Sequence, residues 1–182
     1  MTVLQLLEKD HQMVKKMFEQ FEGMSKRPSQ KKAHLASQIC QALTVHAQVE
    51  EELFYPALYE VRSKELTELL DAAAEEHQVA KTLIAELGET PSQEGRYDAK
   101  VTVLGEYVLH HVKEEERVMF KLAKQHLSKD DLAALGEQVE ARRSELMEQK
   151  EEEVEREDEQ NPADKDAEEQ DIARKHGRRR AA

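Results

Sequence analysis

The chain has 182 residues, of which 36% are charged and 4% aromatic, with no Trp and a formal net charge of −12. That charge speaks against a general affinity for nucleic acid or anionic membrane, and no stretch approaches the roughly 20 apolar residues of a membrane span. Cys40 is the only cysteine, so an internal disulfide and any Cys-rich zinc or iron–sulfur site are excluded, and a reducing cytoplasm is the expected setting.

Runs of Ala, Leu, Glu, Lys and Gln, with little Gly or Pro, predict an all-α protein. The start, MTVLQLLEKDH, is amphipathic and lacks the charged start and apolar middle of a signal peptide. Thr2 with Gln5 predicts a capping box for the first helix, and Gly23 a stop. SKRPS is a turn. The second helix is expected from about Ser29 to about Glu60, with Pro56 kinking its last turns. Ser63 caps a third helix ending at Gly88. The turn-rich ETPSQEG precedes a fourth, from about Tyr97 to about His126. Ser128 with Asp131 opens a shorter fifth helix, with the stripe Leu132, Leu135, Val139 and Leu146. Beyond Met147 only Val154 and Ile172 are aliphatic residues larger than Ala. Such a stretch cannot offset its ordering entropy by burial. The expected organisation is an up-and-down antiparallel four-helix bundle over residues 1–127, an accessory helix over 128–150, and a charged, disordered tail over 151–182 that could meet a protein partner.

Four helices carry an apolar stripe with a histidine near the middle. The first reads Leu4, Leu7, His11, Val14, Phe18, Phe21. The second reads Leu35, Ile39, Ala42, His46, Glu50, Leu53, Ala57. The third reads Leu66, Leu70, Ala73, His77, Ala80, Ile84, Leu87. The fourth reads Leu104, Val108, His111, Glu115, Val118, Leu122. Short connections put helix midpoints at one height, so the four histidines converge on one layer. In His-x-x-x-Glu the two side chains share a face, about 40° apart and one turn along. Two unpartnered buried carboxylates would cost several kcal/mol each and repel one another. No Lys or Arg on these stripes neutralises them within the layer, whereas metal cations would. A lone core histidine is usually a hydrogen-bonded core residue; four with two glutamates at one level point to metal.

These segments resemble the hemerythrin family in its HHE cation-binding branch. EKDH around His11 is similar to that family's first-helix motif, and HAQVEEELFYP to the second, with His46 and Glu50 in the ligand places. EEHQ supplies His77, and HVKEEERVMF supplies His111 and Glu115. The resemblance implies two non-haem irons bridged by Glu50 and Glu115, with the histidines completing the coordination. It also implies work on oxygen, peroxide or nitric oxide, as carrier, sensor, store or catalase-like enzyme. The pattern departs from oxygen-carrying hemerythrins: they have a further histidine where Ala73 stands, and an Asp five residues after the last-helix histidine, where Glu115 follows His111 by four.

Tyr55 and Tyr107 are candidate additional ligands. Tyr55 falls about 180° from His46 on an ideal helix, and Pro56 would have to turn it inward. Glu51 and Glu116, next to the bridging candidates, are candidates for bonds to a ligand histidine. His34, His110 and His126 read as exposed. A rival reading is an iron-responsive regulatory module that engages a partner through the fifth helix or the tail.

Overall fold

A computed structural model describes residues 1–160. They are helical, with no strand among them: α1 (Val3–Glu22), α2 (Gln30–Val49), a π-helical turn π1 (Glu50–Phe54), α3 (Tyr55–Tyr59), α4 (Lys64–Glu89), α5 (Tyr97–Glu114), a second π-helical turn π2 (Glu115–Met119), α6 (Phe120–His126) and α7 (Lys129–Gln160). α2, π1 and α3 run on without a break, as do α5, π2 and α6.

The helix starts follow from local chemistry. Thr2 and Gln5 bond reciprocally at α1, which satisfies two otherwise orphaned backbone donors. Ser29 and Ser63 accept from the third residue of α2 and α4. Ser128 and Asp131 form the same reciprocal pair before α7.

The chain divides into two units, Met1–Arg143 and Ser144–Ala182. In the first, α1 meets α2 and α5, and α4 meets α5, α3 and α2. Phe18 and Phe21 from the end of α1 cluster with Leu35 and Ile39 from the start of α2, Leu87 from the end of α4, and Tyr97, Val101 and Leu104 from the start of α5. Leu4, Leu7, Phe54, Leu58, Leu66, Leu70 and Phe120 are also fully buried. Each such side chain contributes about 1.5–3 kcal/mol. In the second unit α7 continues to Gln160, ten residues past the boundary read from sequence; Arg156 pairs with Glu152 at 2.7 Å, one turn away. The rest of the expected disordered tail lies outside the described residues.

Three features differ from the sequence reading. Past Glu50, Phe54, Tyr55 and Leu58 are buried, where the stripe predicts Leu53 and Ala57; past Glu115, Met119, Phe120 and Ala123 are buried, where it predicts Val118 and Leu122. Both shifts have one cause. A π turn closes on the fifth residue instead of the fourth, with Tyr55 N–H bonded to Glu50 O and Phe120 N–H to Glu115 O. The extra residue turns the following face by one position. In π1 the cause is visible, because Pro56 lacks the N–H that an α-helix would direct at Glu52. The third feature is Lys32, buried with its Nζ 3.1 Å from Ser25 O, paired with Asp98 and over the Phe21 ring.

Gly136 of α7 lies against the start of the chain: a Cβ built there would overlap the Met1 carbonyl oxygen and stand 2.9 Å from Val3 N. Both obstacles are backbone and cannot rotate aside. Gly136→Ala should therefore destabilise the protein by about 1–3 kcal/mol, the usual cost of overpacking. That exceeds the roughly 1 kcal/mol of helix propensity alanine brings. Denaturant unfolding of the two proteins checks it; a more stable variant would overturn the close approach.

Candidate metal centre

His11, His46, Glu50 and Glu115 place one potential ligand atom each within 4.8 Å of one another, and so do Glu50, His77 and His111. All six side chains are buried, and Glu50 and Glu115 almost completely. The six residues expected from sequence are thus brought together, as two groups that share a carboxylate.

The distances show how they share it. Glu50 Oε2 lies 3.3 Å from His46 Nε2 and 3.5 Å from His77 Nε2. Glu115 Oε2 lies 3.3 Å from His11 Nε2 and 3.5 Å from His111 Nε2. The imidazoles face in pairs, His11 Nε2 to His46 Nε2 at 3.2 Å and His77 Nε2 to His111 Nε2 at 3.1 Å. Each glutamate therefore spans the gap between one histidine of each pair.

The outer ring nitrogens have carboxylates of their own. His11 Nδ1 is 2.9 Å from Glu116 Oε1, His77 Nδ1 2.9 Å from Glu51 Oε1, and His111 Nδ1 2.7 Å from Glu76 Oε2. His46 Nδ1 faces Asp10 Oδ2 at 3.5 Å. An ionised carboxylate can only accept, so the three shorter contacts put the proton on Nδ1 and turn the Nε2 lone pair inward, while His46 Nδ1 is buried without a hydrogen-bond partner. The acids form a ring: Asp10 of α1 serves α2, Glu51 of π1 serves α4, Glu76 of α4 serves α5, and Glu116 of π2 serves α1. Glu51 and Glu116 are candidates from sequence. Sequence reasoning missed Asp10 and Glu76, although each directly precedes a ligand-type histidine; DH and EH are the available signal.

Tyr55 is buried in the centre. Its hydroxyl donates to Glu115 Oε1 at 2.9 Å and lies 3.3 Å from His77 Nε2, and its ring stacks on that imidazole. The π turn brings it there, supplying the rotation an ideal helix lacks. Tyr107 is half-buried on the wall of an adjoining cavity, and the structure does not bring it into either group. His34, His110 and His126 are exposed.

Burial, then the neighbouring Glu115 charge, pushes the Glu50 carboxyl well above its ordinary range. Glu115 is buried too, yet the charges of His111 and His11 hold it below the usual carboxylate range. Tyr55 favours the same outcome, since its O–H stabilises the Glu115 anion. The histidines follow their carboxylates. Burial alone would lower His11 and His111, but Glu115 raises both. His46 and His77 are lowered, mainly by burial, His77 to about 4. Without a cation, then, the surroundings favour charged forms around Glu115 and the neutral form of Glu50.

Two observations test whether a metal suits these residues. Among the described residues, both Glu50 oxygens and Glu115 Oε2 are buried without a hydrogen-bond partner. Nitrogens about 2.0–2.1 Å from a shared ion and separated by 3.2 Å subtend roughly 100° there, an ordinary ligand–metal–ligand angle. The residues fit. With imidazole and carboxylate donors and no thiolate, they suit iron, manganese or zinc. On the histidine side lies a cavity of about 30 Å³, lined by the four imidazoles and by apolar residues including Val14, Leu43, Ala47, Ile84 and Val108. That is room for a water or a comparably small molecule.

A family model described as the hemerythrin HHE cation binding domain matches residues 2–123. A solved hemerythrin HHE cation binding domain-containing protein from Mycobacterium kansasii is similar in fold. Its TM-score is 0.69 at 24% identity, and the match covers 80% of this chain and 87% of that one. A protein of Nostoc sp. named DNA nickase is 26% identical over 148 residues, 81% of this chain; the chain spans 40% of that relative's length. No helix among the described residues is long and apolar enough to cross a membrane.

Proposed function

The chain belongs to the hemerythrin HHE cation-binding family, and from that premise we propose that it holds two carboxylate-bridged, non-haem irons and binds, senses or processes oxygen, peroxide or nitric oxide. The observation that carries this reading is the pair of buried glutamates, of whose four oxygens only Glu115 Oε1 has a hydrogen-bond partner, while each faces a histidine of both pairs. His11 and His46 would hold one ion, His77 and His111 the other, and Glu50 and Glu115 would bridge them. Tyr55 is the candidate additional ligand on the His77 side.

Bound iron would supply redox and Lewis-acid chemistry. The chain's own residues do the rest. The outer carboxylates orient the imidazoles. The apolar cavity wall excludes bulk water and admits small uncharged molecules. Tyr55 O–H can hold a proton at Glu115 Oε1. We read the architecture as an up-and-down antiparallel four-helix bundle, because the end of α1 clusters with the start of α2 and the end of α4 with the start of α5. A cytoplasmic setting agrees with the single cysteine. We assign no nucleic-acid role: the Nostoc relative's name belongs to a protein with much further chain, and the charge of −12 opposes phosphate binding.

One observation favours the rival reading of a regulatory module: Arg142 and Arg143 of α7 pair with acids next to the centre.

Metal content and the absorption spectrum of the air-purified, untagged chain test the proposal. The expected result is about two irons per chain with near-ultraviolet charge-transfer absorption. A further visible band lost in Tyr55→Phe would assign the phenol as a ligand. A folded chain that takes up no metal from anaerobic ferrous iron would overturn the reading.

A further inference from the structure

Among the described contacts, α7 reaches one of the four carboxylates that face the histidines. Arg143 pairs with Asp10 Oδ2, and that same oxygen faces His46 Nδ1 at 3.5 Å. Both side chains are largely covered, Asp10 at 14% exposure and Arg143 at 26%. Among the described residues Asp10 has no other partner, so its orientation depends on the guanidinium. The other three outer carboxylates stand at 2.7–2.9 Å from their imidazoles. His46 has the longest such contact, a charge contact without a hydrogen bond, and among the described residues its acid alone is held from outside the helices that carry the ligand set.

We propose that Arg143 is a positioning residue for the metal centre: by fixing Asp10 it orients His46, and so couples the docking of α7 to the affinity of the His11/His46 position. The inference rests on the two-metal reading above. A histidine that binds through Nε2 keeps its ring in place through what Nδ1 contacts, and losing such an outer contact typically weakens a metal site 10- to 100-fold. The planar guanidinium defines Asp10's orientation better than a flexible ammonium could. α7 in turn is fixed by buried Leu132 and Val139 and by the close approach at Gly136. Arg142 supplies the control. It pairs with Glu52, whose other described partner is Gln48, so its removal loosens α7 without touching a histidine's acid.

The experiment is an anaerobic cobalt(II) titration of the metal-free full-length chain against a competing chelator, for the native protein, Arg143→Ala, Arg143→Lys and Arg142→Ala. Thermal unfolding of each metal-free protein verifies folding. In Arg143→Ala one of the two ions should bind about 10-fold or more weakly, and the other within roughly 3-fold of native. Lysine should restore part of the loss at that same position. Arg142→Ala should bind both ions within roughly 3-fold of native. If native protein binds two ions and Arg143→Ala binds them equally well or more tightly, the inference fails while the two-metal reading stands. Equal losses at both positions in Arg142→Ala and Arg143→Ala also overturn it, since docking alone would then account for the effect. A native chain that binds no cobalt and no iron sinks the two-metal reading, and this inference with it.

Discussion

Stripping metal from the loaded protein is expected to lower its thermal unfolding midpoint by about 10 °C or more. Ligand atoms that converge only in the folded chain turn binding energy into folding energy. At a free metal concentration of about a thousand times Kd the gain is about 4 kcal/mol, and each kcal/mol moves the midpoint of a chain this size by roughly 2–4 °C. The gap should widen as pH rises above about 6.5. His11 and His111 are raised in the metal-free fold, so the stability they contribute is present below their ordinary value and lost as pH climbs through the folded one. Glu50 is raised as well, so holding its folded carboxyl protonated costs more as pH climbs. The lowered His46 and His77 work the other way only below their ordinary value of 6.5. All three raised groups must shed protons to accept metal, so loading should acidify an unbuffered solution. Calorimetry with and without chelator, across pH, reads both effects. Equal midpoints with and without metal would remove the structural role assigned to the ions.

Glu50→Gln should act in opposite directions on the two forms. In the metal-free protein it replaces a carboxyl whose ionisation is disfavoured by burial and by the neighbouring Glu115 charge. Stability should rise by about 1–3 kcal/mol near neutral pH, since each pH unit above the ordinary value costs the native fold roughly 1.4 kcal/mol while its carboxyl stays protonated. The advantage should be small below Glu50's ordinary value of 4.5 and should grow with pH, because above that value the unfolded chain ionises while the folded carboxyl is held protonated. With metal present the variant should lose most of the gain that loading gives the native chain. Denaturant unfolding at two pH values, with and without metal, separates these effects. A metal-free Glu50→Gln less stable than native across that range would mean that Glu50 is satisfied by the fold itself, and the case for bridging would weaken.

The convergence of four histidines and two glutamates is legible in the sequence because helical period and short loops alone dictate it. Residues 11, 46, 77 and 111 fall mid-stripe, and nothing between them disturbs the register. The faces beyond Glu50 and Glu115 are not legible in the same way. A π turn inserts one residue without changing composition or charge; Pro56 hints at it in one helix, and nothing comparable marks the other. That single residue decides whether Leu53 or Phe54, and Val118 or Met119, enters the core, and it carries Tyr55 inward. Asp10 and Glu76 escape a reading of the stripes for a related reason. A residue next to a stripe position points about 100° away from its own seam, toward a neighbouring helix's histidine, and only the assembled helices show which one.

The two π turns have a further consequence. Exchanging His11 with His77, His46 with His111, Glu50 with Glu115 and each outer acid with its counterpart matches every contact with a like one, so the centre has an approximate twofold axis between Glu50 and Glu115. The aromatic residues five positions after each glutamate obey it as well: Tyr55 stacks on His77 and Phe120 on His11. They differ by one hydroxyl. The two halves of the centre are thus near-copies that differ by this phenolic oxygen and by Asp10, which stands farther from His46 than Glu76 does from His111, so any order in which two ions would fill the positions traces to these two differences.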